Sequence, residues 1–422
     1  MLQLNVIRDT KDEVIRRLAK KNFKVEIIEE IISIDAQRRK TQAELDELKA
    51  EGNIISRQVG ELMKAGKKEE ANELKNKSVA LKEKEKTLQD VLNKIEDETL
   101  QLLYVIPNVP NDQVPNGKTP DDNKEVYSHG VLPQLSAEAK PHWDLAAQYD
   151  LIDFELGNKI TGAGFPVYKG KMAKLQRSLI NYFLDTAIAA GYLEVQPPIL
   201  INKDSGFGTG QLPDKEGQMY HVGVDDLYLV PTAEVPITNM YRDVILTAED
   251  FPIKNCGYTP CFRREAGSYG KDVRGLNRLH QFDKVEIVQL AHPSNSYAVL
   301  EEMRSYVQDL LKALELPFRT LLLCGGDMSF ASAMTYDMEV YSGAQKKWLE
   351  VSSVSNFESF QANRLKLRFK QGTEKPQLAH TLNGSALALP RICAAILENN
   401  QTPNGILVPQ VLRAYTGFDI IN

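Results

Sequence analysis

The stretch "PCFRREAGSYGKDVRGLNRLHQFDKVE", residues 260–286, decides how this chain folds. It packs six Arg or Lys among carboxylates and glycines, then runs into His280, Gln281 and Phe282. A solvated helix carries such charges easily, but Gly267, Gly270 and Gly275 argue against a helix and for a loop between two strands. The expected strands are Gly257–Glu265 and Leu279–Gln289. On such a strand Arg263 and Glu265 share one face and Arg264 takes the other. A guanidinium on a rigid strand grips a phosphate bidentately, and a carboxylate beside it accepts from an amine. Across the hairpin, Arg278, Phe282 and Glu286 are spaced by four and share a face, which suits stacking of a flat ring against Phe282. The same spacing also fits a surface ladder of cross-strand ion pairs, and spacing does not choose between them.

Outward from this hairpin, the 422 residues allow two or three domains. Hydrophobic residues make up 42% and charged residues 26%, an ordinary soluble balance. The net charge of −6 argues against generic nucleic-acid binding but leaves room for a local basic surface. Cys256, Cys261, Cys324 and Cys393 form no CxxC pair, so we expect reduced thiols, no zinc site and a cytoplasmic protein. The N-terminus lacks a signal peptide's apolar core, and no apolar run reaches the ~20 residues of a membrane span.

Residues from about 28 to 102 differ from the rest. One heptad seam runs Ile31, Ile34, Arg38, Thr41, Leu45, Leu48, Gly52, Ile55, Val59, Leu62. A second runs Ala71, Leu74, Ser78, Leu81, Glu85, Leu88, Leu92, Ile95, Thr99, Leu102, and no Pro interrupts either. Gly66 in "MKAGKKEE" (63–70) marks the turn. The pattern predicts an antiparallel coiled-coil hairpin with arms of roughly 45–50 Å. Lys64, Lys67, Lys68, Lys75, Lys77, Lys82, Lys84 and Lys86 near its tip suit phosphate contacts. Interleaved acids suit a plain solvated coil or a dimerisation zipper equally well. "IPNVPNDQVPNGKTPDDN" (106–123) reads as a linker or surface loop. Beyond it, helices and β-rich runs alternate irregularly, without GxxxxGK[ST] or GxGxxG, which favours an α+β domain with a mostly antiparallel sheet flanked by helices.

Three further groups carry oxygen- and phosphate-binding chemistry. In "EVSSVSNF" (350–357), Glu350 and Ser352 share a strand face and Ser353 takes the other unless a bulge re-aims it; such oxygens suit Mg²⁺ on substrate phosphates. In "TLNGSALALPRICAAILENNQ" (381–401), Asn383-Gly384-Ser385 reads as a tight bend before a helix. Arg391 at that helix start is tolerable where an anion sits beside it. "PTAEVPI" (231–237) places Thr232 and Glu234 in a short loop, or in an ordinary turn.

In this order, these groups resemble the motifs of the class II aminoacyl-tRNA synthetases, and specifically the seryl-tRNA synthetases. "GYLEVQPPIL" (191–200) resembles motif 1 with Pro198 at the family proline, "FRREAG…GLNRLHQFDKVE" motif 2, and "LNGSALALPRICAAILEN" motif 3. "TAE" at 232–234 resembles the serine-binding loop, and the hairpin the tRNA-binding arm. The resemblance covers essentially the whole chain. It implies a tRNA-binding domain over 1–105, a linker over 106–123 and a catalytic domain over 124–422. The implied reaction joins L-serine to tRNA-Ser through a seryl-adenylate, with ATP and Mg²⁺, in a homodimer whose arm grips a long variable arm. Charging of selenocysteine tRNA stays open.

Residue by residue, the resemblance gives Arg263 the ATP α-phosphate and the serine carboxylate, and Glu265 the adenine amine. Phe282 and Arg391 sandwich the adenine, with Arg391 also reaching the γ-phosphate and Arg278 moved towards the phosphates. Arg263 and Arg391 are the implied catalytic residues. Glu350 and Ser353 hold Mg²⁺ with ATP, and Val351 and Ser352 complete that ATP-binding segment. Thr232, Ala233, Glu234, Glu286, Asn383 and Ser385 line the serine pocket, with the amine and hydroxyl partners undivided between the two glutamates. Arg264 joins the ATP segment, although the family usually has a smaller or uncharged residue there. The alternatives are an inactive tRNA-binding paralogue and an amino acid:carrier-protein ligase; intact motif arginines and the full arm favour the synthetase.

Overall fold

A computed structural model describes residues 1–214, 216–265 and 274–422. Gly267 and Gly270, two of the glycines that mark the hairpin loop, lie outside the described residues. The chain divides into two compact units. One comprises Leu2–Ala19 and Phe23–Pro107; the other is essentially Asn108–Asn422, joined by Met1 and Lys20–Asn22.

In the smaller unit, helices α1 (Glu26–Lys64) and α2 (Lys68–Val105) pack along each other as the expected coiled-coil hairpin. At 39 residues, α1 is roughly 58 Å long, longer than the seam alone suggests. Every residue of both seams is buried or half-buried, whereas the apolar Ile54, Val79 and Val91 off the seam are exposed. Gly66, at φ +79°, ends α1, and the Lys67 amide closes back on the Leu62 carbonyl at 3.0 Å. An apolar seam gives no hint of Asp35, which is 2% exposed and takes ion pairs from Arg8, Arg38 and Arg39 at 3.1–3.2 Å. No helix among the described residues is long and apolar enough to cross a membrane.

The larger unit is built on an eight-stranded sheet. In chain order its strands are β1 (Lys124–His129), β2 (Leu193–Glu194), β3 (Ile253–Phe262), β4 (Gln281–Ala291), β5 (Phe318–Leu322), β6 (Met334–Ser342), β7 (Lys347–Asn356) and β8 (His380–Ala388). Their spatial order is β1-β5-β6-β7-β8-β4-β3-β2, antiparallel throughout except at the β2–β3 edge. Helices α3 (His142–Gln148), α4 (Gly170–Ala189), α5 (Glu234–Asn239), α6 (Ser296–Ala313) and α7 (Leu389–Asn399) accompany it. Phe183 of α4, Leu311 of α6 and Ile396 of α7 are fully buried in the main core, because each helix repeats its apolar residues at three- and four-residue intervals. The stretch 106–123, expected as a linker, runs from the smaller unit onto the larger. There Asn108 donates to the Ala331 and Phe357 carbonyls, and Val114 joins the core.

Candidate active site

The four adjacent strands β7-β8-β4-β3 gather the chemistry-bearing residues. β3 and β4 pair as expected, with Phe262 opposite Gln281 and Gly257 opposite Glu286. The regular strand stops at Phe262, earlier than the expected Glu265. The Arg263 amide adds one more bond, to the His280 carbonyl at 2.9 Å, and Glu265 then turns the chain at φ +49°. Strand alternation therefore does not put Arg263 and Glu265 on one face. Arg278 likewise precedes β4, and it pairs with Glu265 at 3.0 Å. The Arg263 guanidinium lies 5.3 Å from the Phe282 ring centroid and donates to the Pro231 carbonyl. Arg264 is exposed and hydrogen-bonded through its amide to Gln218.

Asn383-Gly384-Ser385 does not bend. These residues lie inside β8, between β4 and β7, where Gly384 faces Ile287 on one side and Val354 on the other. Pairing on both sides satisfies the backbone and overrides the local turn tendency of Asn-Gly-Ser. A Cβ on Gly384 would come within 3.1 Å of Val354.

The strand geometry builds a buried polar pocket. The Asn383 amide donates to both Glu234 (2.9 Å) and Glu286 (2.7 Å). Thr232 and Ser385 donate their hydroxyls to Glu286 at 3.3 and 3.5 Å, and Ala233 is fully buried beside them. Two residues missed in the sequence complete it. Lys284 sits 2.6 Å from Glu286, and Gln361 donates to Glu234 at 2.7 Å. Lys284 precedes Glu286 by two on one strand, so spacing already placed both on one face; Gln361 carried no local signal. Burial, then the neighbouring Glu286, pushes the Glu234 carboxyl up to about 7, against the pull of Gln361, Lys284 and Arg263.

On β7, Met338 pairs with Ser352 and Glu339 with Glu350, leaving Val351 as an extra, buried residue. This bulge puts Glu350 and Ser353 on the same outward side, while Ser352 turns in to the Ser385 carbonyl at 2.6 Å. Opposite Ser353 stands Asp337, another residue absent from the sequence reading. Burial, then Glu350, holds its carboxyl well above the usual range, opposed by a hydrogen bond from Ser353. Its buried Oδ1 has no hydrogen-bond partner. Arg391, in the first turn of α7, donates to the Glu350 carbonyl at 2.7 Å and to the Asn277 carbonyl at 3.1 Å. The described contacts thus link Arg263 with Phe282 in one group, and Arg391 with Glu350 in another.

Comparison with known proteins gives this arrangement its context. The family model of the Seryl-tRNA synthetase N-terminal domain matches residues 1–110, and that of the tRNA synthetase class II core domain (G, H, P, S and T) matches residues 220–400. The serine–tRNA ligase of Salinibacter ruber is 48% identical over 421 residues, covering 99% of this chain and 98% of that one. The chain belongs to the seryl-tRNA synthetase family. A second relative within it, the serine–tRNA ligase of Chlorobium luteolum, is 46% identical over 428 residues, covering 100% and 99% of the two chains. The crystal structure of the family member from Pyrococcus horikoshii complexed with ATP superimposes with a TM-score of 0.93 at 33% identity, across 100% of this chain and 99% of that one.

Proposed function

We propose that this member of the seryl-tRNA synthetase family makes seryl-tRNA in two steps at the site described above. The serine carboxylate attacks the ATP α-phosphorus, forming an acyl–phosphate bond and releasing pyrophosphate. A ribose hydroxyl at the tRNA end then attacks the serine carbonyl, releasing AMP. No covalent enzyme nucleophile enters, so catalysis rests on positioning and charge stabilisation. Arg263 meets the α-phosphate and serine carboxylate, Phe282 and Arg391 hold adenine, Arg278 and Arg391 meet the outer phosphates, and Glu265 takes the adenine amine.

The observation that carries the serine assignment is the Glu234–Asn383–Glu286 bridge, buried and lined by the Thr232 and Ser385 hydroxyls. A small ammonium-bearing, hydroxyl-bearing substrate satisfies these groups. Alanine leaves one unpaired, and threonine needs room for another methyl. Asp337 Oδ1, Glu350 and Ser353 are hard oxygen donors, and the orphaned Oδ1 fits a cation's demand. Asp337, Glu350 and Ser353 would hold Mg²⁺ together with ATP, and the ion would supply charge neutralisation at the phosphates. Among the described residues no three His, Cys, Asp or Glu form a complete metal cage, and an ion shared with substrate needs none.

The arm's exposed lysines support a grip on the long variable arm of tRNA-Ser through its phosphates. Leu193, Ile199 and Leu200, all exposed beside Pro198 at the β2 edge, support a homodimer. The protein works in the cytoplasm. Serine-dependent exchange of labelled pyrophosphate into ATP tests the reading, with threonine, alanine and glycine as competitors. Exchange with serine alone, lost in Arg263→Ala, is expected; tRNA-Ser binding without any exchange would leave a binding protein.

A further inference from the structure

His142 lies outside every motif discussed above, Glu398 stands near the end of the motif 3 stretch with no role assigned to it, and both side chains are 0% exposed. The Leu276 amide donates to His142 Nε2 at 2.8 Å, so this nitrogen is an acceptor and the proton sits on Nδ1. Nδ1 meets Glu398 Oε1 at 2.7 Å. The same oxygen accepts the His142 amide at 3.0 Å and the Gln345 amide at 2.9 Å, and Ser342 donates to Oε2. Burial favours a proton on Glu398, but the bonds from His142 and Ser342 outweigh it and hold the carboxyl below its ordinary range. The carboxylate therefore locks the imidazole tautomer.

What the locked imidazole holds is the segment that enters β4. Gly275, at φ +69°, allows the approach: a Cβ there would lie 2.2 Å from His142 Nε2. Asn277 is gripped twice, its side chain by Gln345 at 2.9 Å and its carbonyl by Arg391 at 3.1 Å. Arg274 lies 4.8 Å over the Trp143 ring, next to His142. Arg391 and Glu398 are seven apart on α7, two turns along one face. One helix face thus holds the Asn277 carbonyl directly and the Leu276 amide through His142, and Arg278 follows immediately.

We propose that His142, locked by Glu398, is a positioning residue that sets Arg278 and Arg391 for the ATP phosphates. This rests on the reading of those two arginines as ATP ligands. His142→Asn keeps a donor for Glu398 but has no atom where Nε2 stood; His142→Gln places an amide oxygen there. In pyrophosphate exchange, losing one buried acceptor raises the KM for ATP by about tenfold in His142→Asn. The KM for serine stays within about twofold and unfolding stays cooperative, since Glu286 lies further along β4, held by pairing with Gly257 on one side and Ser385 on the other. His142→Gln recovers most of the loss. An unchanged KM for ATP, a joint rise of both KM values, no recovery with Gln, or unfolding of both variants would each overturn the proposal. Arg391→Ala is the control. If it leaves the KM for ATP unchanged, the ligand reading itself fails; if it raises that KM while His142→Asn does not, only the positioning role fails.

Discussion

Glu234 and Glu286 stand with one amide between them, and only Glu286 has a lysine at 2.6 Å. Burial, then the nearby Glu286, raises the Glu234 carboxyl from 4.5 to about 7. A carboxyl raised in the folded state keeps a proton that the unfolded chain has released. Folding stability from this group is therefore full below about 4.5, falls as pH rises to about 7, and is level above, a span of roughly 3 kcal/mol. Urea unfolding of the ligand-free protein should show this decline, and Glu234→Gln should flatten it. Serine's ammonium prefers an ionised partner, so the KM for serine should rise as pH falls through about 7. Phe282→Ala tests the adjoining group. Losing a base–aromatic stack of ~1–3 kcal/mol should raise the KM for ATP roughly 5- to 150-fold in pyrophosphate exchange, with the KM for serine little changed.

At the scale of elements, β7, β8 and the α1–α2 hairpin each make a different point. The extra Val351 in β7 lets Glu350 and Ser353 share a side, which unbroken alternation forbids. In β8 the close approach at Gly384 means that Gly384→Val should push β7 or β4 aside and lower serine-dependent exchange at least tenfold, measured by steady-state kinetics. In the hairpin, Leu45 is 0% exposed. Leu45→Ala should cost about 2–4 kcal/mol of helical-hairpin stability by thermal or urea unfolding. Exchange should persist in that variant, because every group assigned to adenylation lies in the larger unit.

Across the whole molecule, the net charge of −6 disfavours indiscriminate attraction of a polyanion, so tRNA affinity must come from local patches. Lys67 and Lys77 already pair with Glu70 and Glu51 at 3.0 and 2.9 Å, while Lys64, Lys68 and Lys75 are exposed. Replacing Lys64, Lys68 and Lys75 together by Glu should weaken tRNA-Ser charging severalfold or more and lessen its dependence on salt, with tRNA-free pyrophosphate exchange unchanged. Equal loss in both assays would place these lysines outside tRNA recognition.

Sequence by itself determined the elements whose causes are local or periodic. The heptad seams require α1 and α2 to pair, and Gly66 supplies the turn. Glycines and alternation place the β3–β4 pairing, and Glu286, Asn383, Ser385 and Arg391 are legible as members of the contiguous stretches 260–286 and 381–401. Tertiary structure decided what depends on partners distant in sequence. Only pairing on both sides keeps Asn383-Gly384-Ser385 extended, and only the β6–β7 register creates the bulge at Val351. Lys284 was readable from its two-residue spacing to Glu286, but Gln361, Asp337, His142 and Glu398 were not. A buried polar group takes its role from whatever hydrogen-bond partner the fold brings within about 3 Å, and that partner need not be near in sequence.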